Sequence, residues 1–264
     1  MTALTTTDSL MDAEAAAYLA RIGVPAPEAP TFAALASLHR AHLLTVPFEN
    51  LDIALGRPIR LDRAALLAKV VGAGRGGYCY ELNGLFALLL RHLGYAVDLV
   101  SARVTTAGGG LTADFDHVAL VVTSPEIDAA VLADVGFGDA FIEPLPLQDG
   151  AQRHEPGKDV GLVRDGDVWL YREREDGSTW HPQFVFTTAP HPLTDFEPRN
   201  VWQQTSTESH FTRKRVASRL TETGRVTLSG NRLVTTTHGR RDEVELPEES
   251  AVRAALAEHF GIVL

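Results

Sequence analysis

The chain has 264 residues, of which 45% are hydrophobic and 22% charged, and this globular composition excludes a wholly disordered protein or a coiled coil. The 24 basic and 34 acidic residues give a formal net charge of −10, which excludes the broad basic surface expected of a nucleic-acid-binding protein. Cys79 is the one cysteine, so an intrachain disulfide and a cysteine-rich zinc site are excluded, and no metal is expected. No apolar run is long enough to cross a membrane, and residues 1–21 lack the basic start of a targeting signal, which predicts a cytoplasmic protein without membrane or nucleic-acid partners.

Four helices are predicted before Gly94. The first three have a Ser, Thr or Asp as N-cap and Pro or Gly residues beyond their ends; they run from Ser9 to about Ile22, from Thr31 to Pro47, and from Asp62 to Gly72 or Gly74. The fourth begins near Cys79. Its apolar residues recur at helical spacing, which predicts a core-facing stripe of Leu82, Leu85, Phe86, Leu89 and Leu93.

Short β-rich runs follow Gly94 and predict an antiparallel sheet, either a sandwich or a barrel. They cover residues 95–104, 117–122, 130–135, 160–164, 168–173 and 179–187. Asp165-Gly166, between two of them, is typical of a two-residue hairpin turn. The proline-rich residues 190–198 predict a break or linker. Beyond it, a helix that begins after Pro247 and ends at Gly261 follows predicted strands at about 214–220, 225–228, 232–237 and 243–246.

The surroundings of Cys79 are typical of a nucleophile. Gly76 and Gly77 precede it and a predicted helix follows, which places the sulfur in the first helical turn, at the positive end of the helix dipole. That position lowers the pKa of a thiol and favours the nucleophilic thiolate. The alternative is a buried cysteine that acts only as a small hydrophobic residue.

His117 and Asp134 each lie in an otherwise apolar run. An unpaired carboxylate in a buried strand costs several kcal/mol, so Asp134 needs a partner. If the two runs form a symmetric hairpin through residues 123–128, His117 lies directly opposite Asp134, with Cβ atoms ~5 Å apart. Cys79, His117 and Asp134 would then supply the nucleophile, base and orienting acid for acyl transfer. The alternative is that His117 merely ends a strand and Asp134 binds main-chain amides.

Four motifs resemble those of the arylamine N-acetyltransferases, and the resemblance covers essentially the whole chain. They are Val-Pro-Phe-Glu-Asn-Leu-Asp-Ile at 46–53, Arg-Gly-Gly-Tyr-Cys-Tyr-Glu-Leu-Asn at 75–83, His117 followed by Val-Ala-Leu-Val-Val, and Asp134 followed by Val-Gly-Phe-Gly. Asn200 with Ser209-His210-Phe211 resembles the start of the family's third domain. The resemblance implies an α+β fold: an N-terminal helical bundle (1–94) with the nucleophile, a central antiparallel β-barrel (95–193) with the His and Asp of a cysteine-protease-like triad, and a C-terminal α/β lid (194–264).

The resemblance also implies a ping-pong reaction. The acetyl group passes from acetyl-CoA, the co-substrate, to Cys79 and then to an aromatic amine or hydrazine. The residues matched to the family's acceptor and coenzyme cleft are Phe48, Tyr78, Tyr80, Phe137, His210 and Phe211, with Gly136, Gly138 and Phe211 assigned to the coenzyme. Aromatic faces hold a flat arylamine by stacking, although each aromatic residue has plain core packing as its alternative. Arg75 and Glu81 are expected to support the nucleophile loop, paired with each other or with Asn50.

Two acidic residues depart from the family's pattern. Asp116 precedes the histidine, where the family often has Thr, and Asp139 follows Gly-Phe-Gly, where it often has Gly. A carboxylate is unfavourable beside a pyrophosphate, and the basic residues that could compensate are Arg213, Lys214 and Arg215. The residues leave open an amide synthase that releases and cyclises a polyketide from a carrier protein, a cysteine acyl hydrolase, and a non-enzymatic protein with an inert Cys79.

Overall fold

Helices form most of the first third of the chain in the computed structural model, which describes residues 9–175 and 177–264. A two-residue strand, β1 (Phe48–Glu49), lies among them. The helices are α1 (Asp12–Ile22), α2 (Phe32–Thr45), α3 (Leu51–Ala54), α4 (Arg63–Leu67), which continues into a π-helical turn at Ala68–Gly72, and α5 (Cys79–His92). Helix α5 is buried over most of its surface, and its predicted stripe lies in the core apart from the half-buried Leu93.

Two of the predicted helix caps are confirmed and one is wrong. Oγ1 of Thr31 accepts a hydrogen bond from the main-chain N of Ala34, and Oδ1 of Asp62 does the same for the residue three positions on. Ser9 is not a cap. Helix α1 begins three residues later because the carboxylate of Glu14 accepts a hydrogen bond from the main-chain N of Met11, which makes Met11 the N-cap.

An antiparallel sheet follows, as predicted, and within the described residues it has eight strands, two more than the predicted runs. Its strands are β2 (Ala96–Val104), β3 (His117–Thr123), β4 (Val131–Ala133), β5 (Leu145–Pro146), β6 (Gln152–Glu155), β7 (Lys158–Asp165), β8 (Val168–Glu175) and β9 (His181–His191). Their order across the sheet is β5-β4-β3-β2-β9-β8-β7-β6. The predicted hairpin joins β7 to β8, but its two loop residues are Gly166 and Asp167, and Asp165 already pairs with Val168.

Side chains bridge the edge strands β5 and β6, so the sheet is barrel-like and nearly closed. Arg153 on β6 donates to the main-chain oxygens of Glu143 and Pro144, which directly precede β5. The carboxylate of Glu155 accepts from the main-chain N of Ile142, 2.9 Å away. These bonds cover polar edge groups that a continuous ladder would otherwise pair.

The proline-rich residues 190–198 mark the change from strands to helices and are not an irregular linker. Strand β9 continues to His191, with Pro190 paired to Val100 of β2 beside a bulge, where a proline is tolerated. A 3₁₀ turn (Leu193–Phe196) then leads directly into α6 (Glu197–Thr205). Pro198 lies in the first turn of α6, where its missing N–H costs no helical hydrogen bond.

The last part of the chain forms a second antiparallel sheet. After α7 (His210–Arg213) come β10 (Val216–Thr221), β11 (Gly224–Ser229), β12 (Arg232–Thr237), β13 (Arg240–Glu245) and α8 (Glu249–Phe260). Strand β1 was not predicted, yet it is the edge strand of this sheet: Phe48 pairs with Ser218 and Glu49 with Ala217. Helix α8 packs on the sheet through buried apolar residues and ends, as predicted, at Gly261 with a left-handed φ of 68°. Within the described ranges no helix has the length and apolarity needed to span a membrane.

Candidate active site

Cys79 is the first residue of α5, as the sequence predicts, and strand β1 holds the loop that leads to it. The main-chain N of Glu49 donates to the oxygen of Gly77 at 2.8 Å, and the N of Gly77 donates back to Pro47. Gly76 packs so closely on this strand that a Cβ atom there would lie 1.8 Å from the oxygen of Pro47. Only glycine fits at that position, which accounts for a residue of this type just before the cysteine.

A buried ion cluster, Glu49, Asp52, Lys69, Arg75 and Glu81, supports the same loop. Arg75 lies 2.7 Å from Glu49 and 3.1 Å from Asp52, and Nζ of Lys69 lies 2.8 Å from both Asp52 and Glu81. Three carboxylates face two cations, and burial raises the pKa of Glu81 to about 7. A buried cluster of this kind is sensitive to the loss of any one partner.

The cluster corrects the predicted partners of Arg75 and Glu81. The two side chains do not pair with each other; each has a partner of opposite charge from the cluster, and Glu81 also accepts from the main-chain N of Tyr78 at 3.1 Å. Asn50 lies elsewhere and binds the main chain near α7, donating to the oxygens of Phe211 and Lys214. The loop that leads to Cys79 is therefore fixed by charges from β1, α3 and the π-helical turn.

Asp134 and His117 are in direct contact. Nε2 of His117 donates to Oδ2 of Asp134 at 2.6 Å, and both side chains are at most 3% exposed. The predicted direct opposition is wrong, however. In the β3–β4 ladder Leu120 pairs with Ala133 and Val122 with Val131, a register two residues away from the symmetric hairpin. Because side chains alternate with a period of two, this even offset keeps both residues on one face and leaves the diagonal contact.

The other carboxylate oxygen of Asp134, Oδ1, accepts two hydrogen bonds. Oδ1 accepts from Nδ2 of Asn83 at 2.8 Å and from the main-chain N of Gly136 at 2.9 Å. Asn83 lies one turn after Cys79 on α5 and also accepts from the main-chain N of Val135 at 2.9 Å. The loop comes so close to the nucleophile that a Cβ atom on Gly136 would lie 2.7 Å from Cα of Cys79. Helix α5 thus aligns the carboxylate as well as the sulfur.

Cys79 and His117 interact directly, and each side chain shifts the pKa of the other. Since Asp134 takes Nε2, Nδ1 is the ring nitrogen left for the thiol. The charge and hydrogen bond of Asp134 raise the pKa of His117 to about 10, against the opposing effect of burial. Burial raises the pKa of Cys79, and its contacts with His117 oppose that rise. The net shift of the thiol pKa is upward, so burial outweighs the lowering expected from the helix start.

A cavity of 470 Å³ opens above Cys79 and His117. Aromatic side chains form part of its wall, and four of the predicted cleft residues line it: Phe48, Phe137, His210 and Phe211. Phe137 packs edge-on against the ring of His117, with ring centroids 5.1 Å apart. The rings of Phe48 and Phe211 pack together, with centroids 6.2 Å apart. The site therefore combines a buried thiol, an imidazole paired with a carboxylate and a partly aromatic cavity of small-molecule size.

Comparison with known proteins agrees with this geometry. A family model described as N-acetyltransferase matches residues 31–264. A curated arylamine N-acetyltransferase from Mycolicibacterium smegmatis is 35% identical over 254 residues, covering 94% of this chain and 91% of that protein. Two solved arylamine N-acetyltransferases are similar throughout: that of Nocardia farcinica (36% identical, 98% and 94% covered, TM-score 0.88) and that of Mycobacterium marinum in complex with CoA (32%, 94% and 92%, TM-score 0.87).

This chain belongs to the arylamine N-acetyltransferase family. It is accordingly an acyltransferase, and the fold matches the solved members. Within that family frame, the structure separates the predicted cleft residues into two groups.

Tyr78 and Tyr80 do not line the cavity, unlike the other four aromatic residues matched to this family. Both are fully buried. The hydroxyl of Tyr78 donates to Asn200 of α6, and that of Tyr80 donates to the main-chain oxygens of Phe115 and Asp116. Their hydroxyl contacts tie the start of α5 to neighbouring elements, and the ring of Tyr78 also packs edge-on against Phe211, with centroids 5.6 Å apart.

Gly136 and Phe211 line the cavity, whereas Gly138 lies behind it. A Cβ atom on Gly138 would lie 3.3 Å from the ring of Phe48, and its main-chain oxygen accepts from Arg225 of β11. The neighbouring Asp139 is 3.0 Å from Arg225 and 3.3 Å from Lys158. This acidic departure from the family pattern is therefore neutralised by cations that the sequence reasoning did not consider.

Asp116 is neutralised from α6, and this helix contributes cleft residues that were missed. Its Oδ1 accepts from Nε of Arg199 at 2.7 Å and from Nε2 of Gln203 at 2.8 Å. The guanidinium of Arg199 stacks on Trp202, 3.6 Å from the ring centroid, and all three α6 residues line the cavity. The one signal in the sequence was Asp116 itself, because a carboxylate next to an apolar run needs a cation.

Two of the three basic residues proposed to compensate, Arg213 and Arg215, have polar contacts of their own. Arg213 lines the cavity and donates to the main-chain oxygens of Ser209 and Glu208, whereas Arg215 pairs with Glu249 of α8 at 2.8 Å. Of these three, only Arg213 reaches the cleft.

Proposed function

We propose that this protein transfers acetyl groups from acetyl-CoA to arylamines or arylhydrazines through an acetyl-Cys79 intermediate. The observation that carries the proposal is the contact of a buried thiol with a His117–Asp134 pair at the base of an aromatic cavity. Membership of the arylamine N-acetyltransferase family and the relative solved with CoA support the substrates. The carboxylates near the cleft are also compatible with an anionic coenzyme, because Asp116 and Asp139 are both paired with cations.

In the first half-reaction Cys79 is the nucleophile. Its proton passes to Nδ1 of His117, whose imidazolium form is stabilised by the Asp134 carboxylate. The sulfur attacks the thioester carbonyl of acetyl-CoA, and the bond to the coenzyme sulfur breaks. His117 returns the proton to the departing coenzyme thiolate. The products are acetyl-Cys79 and free coenzyme A, with His117 again neutral.

In the second half-reaction the amine replaces the coenzyme. Its nitrogen attacks the acetyl carbonyl on Cys79 while His117 accepts the proton that the nitrogen loses. The carbon–sulfur bond breaks, the proton returns to the sulfur, and an N-acetylated product leaves. Phe137 and Phe211 offer ring faces and edges on which a flat acceptor can stack.

Mass spectrometry tests the covalent step directly. Protein mixed with acetyl-CoA alone is expected to gain one acetyl group on the peptide that contains Cys79, and arylamine is expected to remove it. Cys79→Ser should give no adduct and a rate lower by ~10³-fold or more, because a serine hydroxyl stays protonated where a thiol ionises. An adduct on another residue, or a fully active serine variant, contradicts the proposal.

The rate of acetyl-CoA consumption, measured with and without an arylamine, separates the rival functions. A cysteine acyl hydrolase would consume acetyl-CoA at a rate that added arylamine does not increase. An amide synthase would use a carrier-bound polyketide, and the family relatives do not favour that alternative. Consumption of acetyl-CoA that rises with an aniline or hydrazine acceptor is the result expected here.

A further inference from the structure

One loop carries much of the candidate site, and a single side chain joins its two ends. Residues 134–142, the Asp134 loop, include the carboxylate that holds His117 and the cavity residue Phe137. Nε2 of His39, on α2, accepts from the main-chain N of Asp134 at 3.1 Å, and Nδ1 donates to the main-chain oxygen of Ile142 at 2.8 Å. His39 is fully buried and has no role in the chemistry proposed above.

The ring of His39 is held in one orientation. It stacks on Phe141, with centroids 5.6 Å apart and planes 11° apart, and meets Phe86 edge-on at 6.2 Å. A neutral ring is needed, since Nε2 must offer a lone pair to the N–H of Asp134. Burial lowers the pKa of His39 to about 4, although the charge of Asp134 opposes this and that of Arg153 adds to it, so the ring is neutral near pH 7.

The two hydrogen bonds of His39, here called the clamp, fix main-chain atoms that the sheet does not fix. Strand β4 ends at Ala133, so the ladder no longer fixes the main chain at the next residue, Asp134. Asn83 and Gly136 hold the carboxylate of Asp134, but they do not hold its main-chain N. That N–H is bound by His39, whose other nitrogen fixes the far end of the loop.

We propose that His39 is a positioning residue for acyl transfer: by clamping both ends of the Asp134 loop it keeps the carboxylate in contact with His117. The reaction in this statement rests on the function proposed above, whereas the clamp itself does not. No proton moves at His39 during the reaction. Loss of the clamp lets Asp134 retreat, weakens His117 as a base and makes the Cys79 thiolate harder to form.

Two substitutions separate the two ends of the clamp. His39→Asn keeps an amide nitrogen near the Nδ1 position, which can donate to Ile142, but leaves the N–H of Asp134 without a partner. His39→Gln places an amide oxygen near the Nε2 position and retains the Asp134 contact. His42→Asn is the matched control: His42 is also fully buried on α2 and contacts Tyr18 and Phe86 rather than the loop.

The readout is the alkylation rate of Cys79 by iodoacetamide as a function of pH, measured on folded protein without any acetyl donor. His39→Asn is expected to move the midpoint upward by about one pH unit, a tenfold change in the thiolate fraction. His39→Gln should move it less in the same direction, and His42→Asn should follow the unmodified protein. A wild-type curve for His39→Asn, or an equal shift for His42→Asn, overturns the proposal.

Two further results keep the test decisive. If His39→Asn does not fold, His39→Gln decides: a raised midpoint supports the clamp and an unchanged midpoint overturns it. Arylamine acetylation is measured in parallel and should fall at least tenfold in folded His39→Asn. If the unmodified protein acetylates no arylamine, the proposed function fails, while the alkylation curves still test the clamp.

Discussion

The Asp134 carboxylate reaches His117 across a diagonal of the β3–β4 pair, not from the directly opposed position. Asp134 lies one residue past the end of β4, where the strand ladder no longer sets the direction of the side chain. The contact therefore depends on the loop that follows the strand. That dependence gives Asn83, which bonds both the carboxylate and the loop, a structural part in the site.

Replacing Asp134 by Asn should lower the rate of acyl transfer by at least ~10²-fold; the comparable change in a serine protease costs ~10⁴-fold. The amide keeps the size but removes the charge that raises the pKa of His117 to about 10. A weaker imidazole base leaves more neutral thiol, so the alkylation midpoint of Cys79 should move to higher pH. Steady-state kinetics and iodoacetamide labelling across pH check both effects. Unchanged alkylation in this variant would show that the carboxylate does not act through His117.

Stability should decline as the pH rises through the titration of His117. Its pKa is raised from an unfolded value near 6.5 to about 10, so its stabilising effect is fully present below about pH 6.5 and is lost by about pH 10. Urea unfolding at intervals across this window measures the slope. Asp134→Asn should flatten the part of the slope due to His117, and an identical slope in both proteins contradicts the assignment.

Lys69→Met should destabilise the fold by roughly 3–5 kcal/mol, because it leaves the buried carboxylates of Asp52 and Glu81 with one cation fewer. Arg57→Met is the control. Arg57 also faces Asp52, but at 3.9 Å and with 61% of its side chain exposed, so the expected change is at most about 0.5 kcal/mol. Urea midpoints of the two variants decide the matter, and equal midpoints would mean that the cluster does not stabilise the nucleophile loop.

Phe137→Ala should weaken use of the arylamine by about fivefold or more, roughly 1 kcal/mol of lost stacking. Acetylation of Cys79 by acetyl-CoA alone should suffer less, and single-turnover measurements of each half-reaction provide the ratio. Phe260→Leu is a suitable control, since Phe260 is a buried phenylalanine on α8 that does not line the cavity. An equal loss in both half-reactions for Phe137→Ala would reject a specific role toward the acceptor.

Local chemistry predicted much of this structure. Thr31 and Asp62 cap helices because their oxygens reach a main-chain N–H three residues away, and Cys79 begins α5 for reasons present in its own neighbours. The register of β3 against β4 was missed by two residues because the last pair is Val122 with Val131, so the connection is two residues longer than the predicted loop 123–128. The face was still correct, since an even error preserves alternation.

Features that depend on distant partners were not predictable in this way. His39 meets Asp134 across 95 positions, and Phe48 pairs with Ser218 across a still longer separation. A two-residue strand has no periodicity to detect. In the sequence, a histidine on an apolar helix face that bonds a distant loop looks the same as one that only packs in the core. Tyr78 and Tyr80 show the converse error, because adjacency to the nucleophile did not place their rings in the cavity.

Strand β1 constrains how the cleft can change shape. It is hydrogen-bonded to β10 on one side and bridges to Gly77 on the other, and its Glu49 also anchors Arg75. If the C-terminal sheet moved as a rigid body, β1 would have to separate from β10 or from Gly77. In the second case Glu49 would also leave the ion cluster. We therefore expect changes in the shape of the cleft to come from segments that β1 does not hold. One such segment is the exposed turn 107–111, which lies beside the threonines that line the cavity. Removing the C-terminal sheet would accordingly expose an unpaired strand edge directly beneath the nucleophile.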